Sequence, residues 1–114
     1  MRRPSPPKTL RAADRVGEHV LTWRKLNGLT AEQVCQRAGI SRPTLRKIET
    51  GDPSVNFEAV LNVLRALGRL DSLVVALDPY ETDFGRARAD QALPEPLPTS
   101  PLPQAAPESV AAES

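Results

Sequence analysis

Between residues 41 and 50 the chain reads SRPTLRKIET, in which Arg42, Arg46 and Lys47 fall on one side of a short helix while Leu45 and Ile48 fall on the other. Arg and Lys side chains only donate hydrogen bonds. Fixed on a helix, they suit acceptors such as phosphate oxygens or the O6 and N7 atoms of guanine in a major groove. Nothing in the sequence offers a nucleophile beside a base, a carboxylate pair or a phosphate-cradling Gly-rich loop, and His19 is the single histidine, expected at the surface or half-buried on a helix. The chemistry to expect is recognition without catalysis: no enzyme activity, no cofactor and no metal.

The elements that must present these cations follow from apolar spacing and breakers. Apolar residues recur with helical period, which predicts five helices and an all-α fold. The first is expected over about Ala12–Leu26, with Val16, Val20, Trp23 and Leu26 on its inner face and Asn27-Gly28 closing it. The second opens at Thr30, where Thr-x-x-Gln with Gln33 spells a capping box, turns Val34, Cys35 and Ala38 inward, and ends at Gly39. Ser41 caps the third, about Ser41–Thr50, whose first turn tolerates Pro43 because it needs no backbone donor there. Asn56 caps a fourth helix carrying Phe57, Val60, Leu61, Leu64 and Leu67, which Gly68 stops; a short fifth carries Leu70, Leu73, Val74 and Leu77 before Asp78-Pro79 breaks the chain.

The tails set the domain limits. Residues 1–11 read as a flexible basic arm, either tracking phosphates or a minor groove or inert. Residues 12–78 form the domain, residues 79–92 a partly ordered extension, and residues 93–114, with 6 of the 12 prolines, a disordered Pro/Ala-rich tail. Tyr80 and Phe84 in the extension either dock on a partner or fold back on the fifth helix. The net charge of +1 conceals a polarity: residues 1–50 hold 11 Lys/Arg against 4 Asp/Glu, and residues 51–114 hold 4 against 10. A basic first half is the footprint of a phosphate binder. Cys35 stands alone, which rules out an internal disulfide and favours a reducing compartment; its place is in the core, with redox sensing as the alternative. With no signal-peptide run and no membrane-length apolar stretch, a cytoplasmic protein is expected.

GLT at 28–30, RAGIS at 37–41, TLRKIETG at 44–51 and LRALG at 64–68 make residues 14–68 similar to the phage-repressor, Cro-type (XRE-like) helix-turn-helix family. The resemblance implies a five-helix domain that binds double-stranded DNA as a transcriptional regulator, and a structural pair between Arg24 and Glu49. Many members carry Gln at the first position of the second helix; here Ala31 stands there, so phosphate contact passes to Thr30, Gln33 and the local helix amino terminus. Residues 48–79 also resemble HipB-type antitoxins, which implies a kinase-like toxin as a protein partner.

On this reading Arg42, Pro43 and Lys47 face base edges, while Thr30, Gln33, Ser41, Thr44 and Arg46 touch phosphate. Leu70, Leu73, Val74 and Leu77 form a homodimer stripe or else close the monomer's core. Three functions stay open: a repressor reading an inverted repeat as a homodimer, a HipB-like antitoxin that also represses, and a protein-interaction adaptor on the same fold.

Overall fold

The computed structural model describes residues 4–92; the outermost part of the expected arm and the whole of the expected tail, residues 93–114, lie outside the described residues. The described residues are helical with no strand: α1 (Pro7–Leu26), α2 (Ala31–Ala38), α3 (Arg42–Glu49), α4 (Phe57–Ala66), α5 (Leu70–Leu77), a 3₁₀ turn (Pro79–Glu81) and α6 (Asp83–Ala92). They fall into two units divided after Ala76. None of these helices is long and apolar enough to cross a membrane.

Each helix of the first unit begins and ends for local reasons. Thr30 Oγ1 accepts from Gln33 N at 3.1 Å while Thr30 N donates to Gln33 Oε1 at 2.9 Å, a complete capping box at the start of α2. Ser41 Oγ accepts from Thr44 N at 3.2 Å at the start of α3, and Asn56 Oδ1 from Ala59 N at 2.8 Å at the start of α4. α2 stops at Gly39, whose φ of 70° is left-handed; its N–H and that of Ile40 both reach the Cys35 carbonyl. A side chain at this φ would be strained, so the corner between α2 and α3 depends on glycine.

α1 begins at Pro7, one and a half turns before the expected Ala12, so residues 7–11 are helical where an arm was expected. Pro7 starts it: the ring presets φ, and a first-turn position has no intrahelical use for an N–H. The extension is likewise more ordered than expected, with a sixth helix.

The core is built from Val20, Val34, Cys35, Ala38, Leu45, Ile48, Ala59, Val63 and Leu67. The expected inner faces hold at Val20 and Leu67, with Val60 and Leu64 packed against the core, and are corrected at Val16, Trp23, Leu26 and Phe57. On α1 the buried row is Gly17 and Val20, with Arg24 half-buried beyond, while Val16, Leu26 and Trp23 are exposed; Trp23, at 37 % exposure, lies under the Arg69 guanidinium, 4.4 Å from its ring centroid. The true contact row runs i, i+3, i+7 from Gly17, about 100° around the helix from the Val16 and Trp23 positions. On α4 the buried row is Ala59, Val63 and Leu67, and Phe57 points to solvent at 69 % exposure. Small side chains there admit closer packing of α2 against α4 than Phe57 would.

α4 ends at Leu67, whose carbonyl accepts from Asn27 Nδ2 at 3.1 Å and so ties the ends of α1 and α4 together. α5 follows, and none of its residues is fully buried. In the second unit, Asp78 caps the 3₁₀ turn through Tyr80 N at 2.9 Å, Thr82 Oγ1 accepts from Gly85 N at 2.9 Å, and Arg86 bonds both the Tyr80 carbonyl and the Asp83 carboxylate. Phe84 is exposed with Arg88 over its ring at 5.1 Å.

Two outcomes follow from this core. Leu45→Ala, at a site 1 % exposed, should cost about 2–5 kcal/mol, whereas Phe57→Ser should stay within about 0.5 kcal/mol, both read by urea unfolding. Burial pushes the Cys35 thiol above the ordinary thiol range, against the opposing pull of the Arg42 guanidinium. The unfolded chain therefore releases this proton first, and stability falls as pH rises through the ordinary thiol pKa of about 8.5. The urea midpoint of the native chain, compared with Cys35→Ala, should show that decline above about pH 8; parallel curves would sink it.

Candidate nucleic-acid interface

α3 is amphipathic in the strictest sense its length allows. Leu45 and Ile48 are buried, and Arg42, Pro43, Arg46 and Lys47 are exposed in two i, i+4 rows, 42 with 46 and 43 with 47. Its eight residues carry three cations and one anion, Glu49. That anion is withdrawn from the exposed face: Arg24 Nε meets Glu49 Oε2 at 2.8 Å and Arg24 Nη2 meets Oε1 at 3.4 Å, a two-pronged ion pair with both side chains largely covered. Arg24 also donates to the Leu29 carbonyl at 3.3 Å, which ties in the segment entering α2. What remains outward on α3 is positive.

A cleft of about 530 Å³ opens beside this face, lined by Arg24, Ala31, Arg42, Pro43, Leu45, Arg46 and Glu49. Ala31 is the first residue of α2, so the cleft lies at that helix's amino end, where unbonded N–H groups and the positive end of the helix dipole attract anions. The short alanine side chain leaves this end uncovered. The cleft groups Arg42 with Arg46, which sequence reasoning assigned to base and to phosphate respectively, and Lys47 lies outside its lining.

The hydroxyls and amide named from the sequence are all partly engaged. Ser41 Oγ and Thr44 Oγ1 are 2.9 Å apart, and Thr44 is half-buried. Thr30 and Gln33 spend acceptor atoms on each other's backbone, which leaves the Thr30 hydroxyl proton and the Gln33 amide protons as donors. Thr50 folds back, donating to the Arg46 carbonyl at 2.8 Å. On α5, Leu70 and Leu73 are half-buried while Val74 and Leu77 are 60 % and 74 % exposed, so the stripe does not close the core along its whole length.

Sequence reasoning missed Gly17. It is a close approach between α1 and α3: a Cβ built there would lie 2.5 Å from the Ile48 carbonyl oxygen and 2.7 Å from that of Glu49. The available signal was a lone glycine in mid-helix, which weakens a helix by about 0.5–1 kcal/mol unless a neighbour needs the space. No group of side chains suited to a metal ion occurs among the described residues.

Two short helices joined by a glycine corner, the second with its outer face basic, form the arrangement that enters a major groove. A family model described as a helix-turn-helix domain matches residues 8–77, more than half of the chain. The chain belongs to the helix-turn-helix domain family. No curated protein and no solved structure matches it. The match runs from residue 8, in the first turn of α1, to residue 77, the end of α5. In the helix-turn-helix domain α2 and α3 are the crossing pair, and α1 and α4 are the supports behind it.

The Arg24–Glu49 pair gives a direct test of how α3 is held. Arg24→Met leaves a covered carboxylate without its partner and should destabilise the domain by about 1–3 kcal/mol, measured by thermal unfolding. A change below about 0.5 kcal/mol would mean the pair is solvated in practice.

Proposed function

We propose that this protein is a sequence-specific transcription regulator, a repressor, which binds an inverted repeat in double-stranded DNA as a homodimer with α3 of each copy in the major groove. The observation that carries the reading is the outward face of α3, basic along both exposed rows and cleared of its one carboxylate by Arg24. In this arrangement Arg42, Pro43 and Lys47 meet base edges. Arg46, Ser41, Thr44, Thr30 and Gln33 meet phosphate, with a backbone phosphate seated at the cleft beside Ala31. Helix insertion needs a groove about 12 Å wide, which B-form DNA provides.

The homodimer is supported by α5. Val74 and Leu77 are among the most exposed large apolar residues of the chain, and a twofold contact through them with Leu70 and Leu73 removes that surface from water. Two reading helices must then lie about 34 Å apart, one turn of DNA. A second reading, an antitoxin with a kinase-like toxin as partner, is favoured by the exposed Tyr80 and Phe84 rings in the second unit. A stoichiometric complex with a kinase-fold protein encoded beside this gene is its test. An adaptor that does not read DNA predicts instead that any affinity for duplexes is insensitive to salt.

Selection of bound sites from random duplex DNA tests the principal reading: the expected result is an inverted repeat with half-site centres about 10 base pairs apart. A single unpaired half-site removes the dimer, and no enrichment at all removes sequence reading. Within the selected site, Arg42→Ala and Lys47→Ala should each cost about 1–3 kcal/mol and relax preference at particular base pairs. Arg46→Ala should weaken binding to all duplexes alike and lower the slope of log affinity against log salt by about 1.

A further inference from the structure

Residues 17 and 24 of α1 both meet the carboxyl end of α3, and the first of these has no side chain. Gly17 is buried, and the atoms a Cβ there would strike are main-chain atoms: the Ile48 oxygen at 2.5 Å, the Glu49 oxygen at 2.7 Å and the Glu49 carbonyl carbon at 2.9 Å. Main chain in the last turn of a helix cannot rotate aside as the tip of a side chain can. Seven residues along the same face, Arg24 holds the Glu49 carboxylate with two nitrogens. Glu49 is thus located twice by α1, at its backbone by Gly17 and at its side chain by Arg24. The two α1 positions are about 10 Å apart along the helix axis. The two contacts hold the carboxyl end of α3, and with the amino end held at the Gly39 corner and the Ser41 cap they set its tilt.

We propose that Gly17 is a positioning residue for DNA reading: it contacts no DNA, and by letting the carboxyl end of α3 rest on the backbone of α1 it sets the angle at which Arg42 and Lys47 reach base edges together. The inference rests on the DNA-reading role proposed above. A methyl group at residue 17 must lift the carboxyl end of α3, while the amino end stays held by the Gly39 corner and the Ser41 cap. The helix then pivots, and Lys47, near the lifted end, moves more than Arg42. Base readout depends on that angle, whereas attraction to phosphate depends on charge and tolerates the change.

The test compares full-length native protein, Gly17→Ala and, as a control for lost stability elsewhere in the core, Leu67→Ala. Affinities for the selected duplex and for a random duplex are measured in the cold, after circular dichroism shows each protein folded. Gly17→Ala should lose about tenfold or more on the selected duplex and stay within about twofold on the random one, while Leu67→Ala keeps both affinities. Where Gly17→Ala is not folded in the cold, the same ratio is read in trimethylamine N-oxide, which favours the compact state. A native protein that discriminates between the duplexes, with Gly17→Ala discriminating equally, overturns the inference alone. A native protein that does not discriminate overturns the DNA-reading role and the inference with it.

Discussion

The seating of α3 on α1 is the contact on which the interface depends. A helix of eight residues has little stability of its own, since nucleation is costly and few hydrogen bonds follow it. It is held by burying Leu45 and Ile48, by the backbone contact at Gly17 and by the Arg24–Glu49 pair. These restraints act on the inner side and the carboxyl end. They leave the outer side chains unencumbered, the condition for a surface that must meet another molecule at a defined angle.

The ion pair has a second consequence. Glu49 follows Lys47 and Arg46 closely, and a free carboxylate at that point would repel phosphate and neutralise part of the basic face. Pairing it with Arg24 under cover removes it from the face, and the guanidinium itself borders the cleft at the amino end of α2. A two-pronged pair between a guanidinium and a carboxylate also fixes orientation in a way a lysine ammonium could not, because the fork geometry admits few arrangements. Structural support and electrostatic preparation are therefore served by the same two residues.

Capping and the proposed phosphate contact are compatible because they use opposite ends of the same polar groups. A helix amino terminus has spare N–H donors and needs acceptors, which Thr30, Gln33 and Ser41 supply from oxygen. Once those oxygens are engaged, the Thr30 hydroxyl and Gln33 amide protons and one proton of the Ser41–Thr44 pair remain as donors suited to an anion. Segments rich in Thr, Ser and Gln at helix starts are thus consistent both with a well-formed fold and with an anion-facing surface.

The helical class, the caps at Thr30, Ser41 and Asn56, the glycine corner at Gly39 and the composition of the outer face of α3 were legible in the residues alone, because each depends on residues within a few positions of one another. Family likeness, in addition, implied the pairing of Arg24 with Glu49. The exact contact row of α1 and of α4 came from packing against distant neighbours. Apolar spacing placed Val20 and Leu67 inward, as they are, but favoured Val16 and Trp23 on one helix and Phe57 on the other, where the buried neighbours are Gly17, Ala59 and Val63 and Arg24 is half-buried. Where two helices approach closely, fit outweighs hydrophobicity: a glycine or an alanine wins the contact because a larger group would hold the backbones apart. That criterion depends on the neighbour, 31 residues away in the case of Gly17 and Ile48, and no local pattern encodes it.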